Sequence, residues 1–235
     1  VRFGVVGLLV EFEFNATFVM LALAAVLAGL GSDWVIQSHA IARLRRPGPE
    51  SRVLPGLASL GAGTILSLLP DGIGWGVGLI LAGILIFAVL LAEFIAFDPE
   101  DPRTESTATS LRLLGVVIVI LVVLAARLAG IRAIFAIPAA FAASSIMCWR
   151  SLSLISRSES PWPYAVGCGL IAAQVAWGLH YWPAGPLQVA LVIGLVAYLG
   201  SGLATAHLRR RLGPSLLYEY GGLTLVSLAG IALLA

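Results

Sequence analysis

A chain of 235 residues that is 60% hydrophobic and 11% charged, with mean hydropathy +1.01, excludes an ordinary soluble domain, which carries about 25% charged residues. All 14 basic residues are arginine, and the absence of lysine excludes Schiff-base attachment of retinal or pyridoxal phosphate as well as a P-loop. The net charge of +2 is small, and the two cysteines, Cys148 and Cys168, lie in apolar segments without CxxC spacing, so neither a disulfide framework nor a redox motif is expected.

A bilayer core about 30 Å thick takes about 20 helical residues at 1.5 Å each, so uncharged runs of that order mark spans. The apolar stretch Phe3 to Val10 is too short to cross, lacks a small-residue cleavage site and runs into Glu11 and Glu13. It reads as an interfacial or re-entrant segment, not a cleaved signal peptide. The first span is expected at 14–37, followed by 53–70 and 73–97. The loop from Asp98 to Ser106 holds acidic residues and two prolines without EF-hand spacing and reads as a solvated turn. Span 106–128 follows, in which Arg112 and Arg127 bracket an uncharged segment and can snorkel to the interfaces. After span 132–155, the run from Ser160 to Leu208 lacks Asp, Glu and Arg and is too long for one helix. "HYWPAGP", His180 to Pro186, divides it into 162–181 and 185–207, because two prolines and a glycine sit where a turn is needed. A shorter span, 215–235, closes the series. The expected fold is all-α: one polytopic helix bundle over residues 1–235 with about eight transmembrane helices, short loops and no soluble domain. The alternative count is seven, with the last segment interfacial.

Arginine placement predicts orientation, because positively charged loops stay cytoplasmic. Arg43, Arg45, Arg46, Arg52, Arg103, Arg112, Arg150, Arg157, Arg209, Arg210 and Arg211 fall on one side, against Arg2, Arg127 and Arg132 on the other. Both termini are therefore expected outside. A bacterial cytoplasmic membrane fits the all-arginine, Gly/Ala-rich composition.

Polar residues inside the spans are the candidate functional positions, since lipid exposure of such groups is costly. Asp33 and Gln37 are four apart and share a helix face near the cytoplasmic boundary. Glu93 and Arg112 lie at similar depths near the ends of consecutive spans, which predicts an ion pair between them, either a relay or a structural pin. Gln174 is a further intramembrane polar position. Gly72, Gly74, Gly76 and Gly78 make overlapping GxxxG spacings and mark a helix-packing face, within the bundle or toward a partner. His39 and His207 sit at cytoplasmic helix ends and are the candidates for cofactor ligation. Neither has a carboxylate or second histidine at i+3 or i+4, so the expected cofactor and metal content is none.

"GSG" at Gly200 to Gly202, with Ala206 and His207, resembles pieces of the rhomboid protease site. Ser201 and His207 are six apart on one helix, however, a rotation of roughly 240° at 100° per residue. In that family the two residues come from different helices, so no catalytic assignment is made.

These readings point to an integral membrane protein without a recognisable catalytic motif, acting as a non-enzymatic accessory or scaffold subunit. The alternatives are a small-molecule or lipid transporter using the intramembrane polar residues, and a membrane enzyme acting on lipid headgroups. Expected partners are the lipid bilayer and a membrane protein or a second copy of the chain, with no nucleic acid.

Overall fold

The computed structural model describes residues 16–38, 48–98, 103–155, 160–210 and 213–233, and every regular element among them is a helix. There are eight: α1 (Ala16–Gln37), α2 (Glu50–Leu68), α3 (Ile73–Ala96), α4 (Thr104–Leu128), α5 (Ala133–Ser153), α6 (Trp162–His180), α7 (Pro186–Leu208) and α8 (Pro214–Ala232). Five are long and apolar enough to cross a membrane: α1 over Val19–Gln37, α3, α4 over Ser106–Leu128, α5 and α7. Their outward faces carry large apolar side chains such as Leu27, Ile80, Phe87 and Ile134, the pattern of helices that meet lipid.

Helix boundaries follow local chemistry. Pro186 opens α7 at a position whose N–H has no intrahelical partner, and the Gly185 N–H donates to Gln188 Oε1 at 2.8 Å, closing the first turn. Helix α4 ends in a Schellman motif: the Ile131 N–H donates to Ala126 O at 3.0 Å and the Gly130 N–H to Arg127 O at 3.2 Å. Gly130 takes φ 64°, which explains a glycine in the "RLAGIR" turn.

Each helix packs on its chain neighbours, and α4 additionally packs on α2 and α7, so α4 lies centrally, while the α8 backbone approaches that of α7 alone among the described residues. Cross-helix contacts show alternating directions. Trp149 at the end of α5 stacks on Trp162 at the start of α6, with ring centroids 4.8 Å apart. At the opposite end Arg127, in the last turn of α4, meets His180 Nδ1 at 3.3 Å at the end of α6. The core is built from Val89, Ile118, Val119, Met147, Ile193 and many alanines, including Ala140, Ala143, Ala172, Ala190 and Ala197. Small residues let α6 approach α5 and α7 approach α4: a methyl at Gly169 would overlap Ser145 Oγ and lie 2.7 Å from Phe141 O, and one at Gly194 would strike Ile120.

The helix ends define two poles. One collects the C-termini of α1, α3, α5 and α7 with the N-termini of the others, and carries Arg52, Arg103, Arg112, Arg150, Arg209 and Arg210 among the described arginines. The other carries Arg127 and Arg132.

Candidate functional site

The buried charges gather at the arginine-rich pole in three separate arrangements. In the first, the Arg150 guanidinium of α5 grips the Glu93 carboxylate of α3. Arg150 Nε donates to Glu93 Oε1 at 2.8 Å and Oε2 at 3.1 Å, and Nη2 donates to Oε2. Glu93 is 1% exposed and Arg150 7%, so both charges are withdrawn from solvent and lipid. Arg150 Nη1 also donates to Ser153 Oγ at 3.1 Å. Among the described residues no α-carbon of α3 lies within 8 Å of one in α5, so this pair bridges helices whose backbones stay apart. The length and planar fork of arginine make that reach possible.

This differs from the expected Glu93 to Arg112 pair. Similar depth was a sound inference, but rotation decides the partner. Arg112 follows the buried Leu111 by one residue, and that step of about 100° turns it from the interior face toward α7. Arg150 takes the carboxylate because it continues the core stripe Ala140, Ala143, Met147 at helical spacing.

In the second arrangement Arg52 Nε on α2 lies 2.6 Å from Asp33 Oδ2 on α1. The Asp33 side chain is 12% exposed and that of Arg52 46%. Beside them Ser32 Oγ donates to Gly29 O at 2.7 Å and to Ser51 O at 3.2 Å, so the α1–α2 hairpin is fastened by an ion pair and a hydroxyl.

In the third, Arg112 Nε donates to Ser201 Oγ at 3.1 Å and Nη2 to Tyr198 O at 2.7 Å, both on α7. Its guanidinium carbon sits 4.3 Å from the centroid of the Tyr198 ring, a cation–π arrangement. Among the described residues no carboxylate lies within 4.0 Å of this guanidinium.

The other expected positions disperse. Gln37 and Gln174 are exposed on the surfaces of α1 and α6. His207 is exposed at the end of α7, its ring 5.7 Å from that of Tyr164, and His39 lies outside the described residues. Among the described residues a methyl at Gly72, Gly74 or Gly76 would meet nothing within 4 Å, so three of the four glycines on the expected packing face are open to that extent, and Gly78 faces Leu66 and Leu69. Cys148 and Cys168 are buried free thiols; Cys148 Sγ donates to Tyr164 O at 4.0 Å and Cys168 Sγ to Ala197 O at 3.9 Å. Among the described residues no group of three His, Cys, Asp or Glu side chains gathers to hold a metal ion.

Sequence reasoning missed Arg52, Arg150, Tyr198 and Ser201 as partners. Arg150 was legible only as a topology arginine, although its place on a stripe of small apolar residues was a signal for burial. Nothing in the local pattern marked Ser201 or Tyr198 as partners of a residue nearly ninety positions away.

Residues 1–234 match the family described as "Protein of unknown function (DUF5656)". No curated protein and no solved structure matches the chain.

Proposed function

The chain belongs to the DUF5656 family, whose description assigns no activity, and we propose from its geometry that it is a non-enzymatic polytopic membrane protein, an accessory or scaffold subunit of a membrane assembly. The observation that carries this reading is the closure of the Glu93–Arg150 pair. Every oxygen of the carboxylate is engaged by a guanidinium in the apolar interior, which is the economy of a structural pin.

In this reading all eight helices cross the bilayer. Helices α2, α6 and α8, at 19 residues each, reach about 28 Å at 1.5 Å per residue, close to the hydrocarbon thickness. The arginine-rich pole faces the cytoplasm of a bacterial cell, and α1 begins and α8 ends on the outer side. The open Gly72, Gly74 and Gly76 face of α3 is then available to a helix of a partner protein.

A transport path asks for polar groups distributed across the depth of the bundle. Here Asp33, Glu93 and Arg112 sit at one pole, Gln174 points outward, and the interior between the poles is mainly alanine, valine and isoleucine, with Ser144 and Ser145 of α5 as its buried hydroxyls. A headgroup enzyme asks for convergent acid–base groups, and His207 stands apart from every described carboxylate pair.

Native mass spectrometry after mild extraction from the source membrane tests the subunit reading. A defined heteromeric mass supports it and identifies the partner. A bare monomer or homo-oligomer overturns it.

A further inference from the structure

Among the described residues of the α4 span, Arg112 and Arg127 have no carboxylate partner: Arg127 lies at the span's far end against His180, and Arg112 lies at the arginine-rich pole. Arg150 has Glu93 and Arg52 has Asp33, whereas Arg112 is held by neutral groups only. It lies six residues inside the span that opens at Ser106, about 9 Å along the helix axis, where its neutral partners leave its positive charge unbalanced and an anion is a favourable neighbour.

The surroundings are built around it. Tyr198, Ser201, Gly202 and Thr205 occupy positions i, i+3, i+4 and i+7 of α7 and form one stripe facing α4. Tyr198 supports the guanidinium face, and Ser201 receives Nε while donating to Tyr198 O at 2.9 Å. A methyl at Gly202 would collide with both Arg112 Nη2 and Tyr220 Oη, so a guanidinium nitrogen and a phenol from α8 converge over a bare backbone. One turn toward the pole, Thr205 Oγ1 is buried without a hydrogen-bond partner among the described residues. The two bonds Arg112 makes to protein engage Nε and Nη2, which leaves Nη1 and the second Nη2 hydrogen as donors.

We propose that Arg112, Tyr220 and Thr205 form a binding site for a phosphate group at the junction of α4, α7 and α8, against the guanidinium and phenol that close over Gly202. Two guanidinium donors, a phenol and a hydroxyl match the several acceptor oxygens of a phosphate, and arginine binds this group in fork geometry. The phosphate comes from a lipid headgroup or from a soluble phosphate; the shared chemistry is the same, and the experiment separates the sources. This site stands independently of the subunit reading.

The purified full chain is titrated in detergent with phosphatidic acid, with diacylglycerol as the phosphate-free control, and retained lipid is read by native mass spectrometry. In parallel, the thermal midpoint is followed with inorganic phosphate against chloride at equal ionic strength. Arg112→Gln reduces phosphatidic acid retention about tenfold, the scale of one lost charge-assisted contact, and Tyr220→Phe about threefold. Arg210→Gln, which removes the same charge from an exposed position, leaves retention within about twofold. Tyr220→Phe keeps the arginine in place and carries the test if Arg112→Gln does not fold. Lipid retention that depends on Arg112 and Tyr220 assigns a headgroup; a phosphate-specific stabilisation with the same dependence, without lipid retention, assigns a soluble phosphate. Absence of both, or equal losses in the Arg112 and Arg210 variants with wild-type behaviour of Tyr220→Phe, overturns the site.

Discussion

Asp33 at the end of α1 and Arg52 in the first turn of α2 meet at 2.6 Å, yet the two side chains are unequally buried, 12% exposed for the aspartate and 46% for the arginine. The asymmetry predicts unequal variants. Arg52→Gln strands a mostly buried carboxylate whose Oδ1 has no hydrogen-bond partner among the described residues, and lowers stability by about 1–3 kcal/mol. Asp33→Asn releases a half-exposed arginine that water can solvate, and costs less than about 1 kcal/mol after screening. Thermal midpoints of the two variants in one detergent check the order. Equal losses, or the reverse order, contradict the geometry.

Gly130 holds the left-handed position of the α4 Schellman motif at φ 64°. Gly130→Ala places a Cβ there and lowers stability by about 1 kcal/mol, despite open space around the site. A stabilised variant would show that the turn relaxes without the motif.

The glycines divide into packed and open sets, which predicts opposite outcomes for one substitution. Gly169→Ala drives a methyl against the Phe141 carbonyl and costs about 1–3 kcal/mol. Gly74→Ala meets nothing among the described residues and leaves the isolated protein unchanged or slightly stabilised, since alanine is the better helix former. Chemical or thermal unfolding of the purified chain reads both. In the source membrane, Gly74→Ala weakens association with the partner that the subunit reading places on this face.

The helical architecture was legible because apolar runs, arginine clusters and proline-containing turns are one-dimensional signals. "HYWPAGP" separates α6 from α7 where the turn chemistry requires it. The candidate site was half legible. Depth along a helix follows from counting residues, which placed Glu93 and Arg112 near the same level. Rotation about the axis and the neighbour across the bundle depend on packing, and these gave Glu93 to Arg150 and Arg112 to Ser201. The glycine face was read from spacing alone, and spacing does not say whether a partner helix lies in the same chain. Close approaches at Gly169, Gly194 and Gly202 came instead from glycines without such a repeat.

The central claim is that the buried charge is a pin within the fold, and a double-mutant cycle on Glu93 and Arg150 tests it most directly. Glu93→Gln and Arg150→Gln, each alone, leave an uncompensated buried charge and lower stability by about 3–5 kcal/mol. The double variant removes both charges and is predicted to lose well under the sum, with a coupling above about 1 kcal/mol. Additive losses in the thermal midpoints, or a Glu93→Gln protein as stable as the parent, would show that the two residues are not joined as a pin and would reopen the relay reading of Glu93.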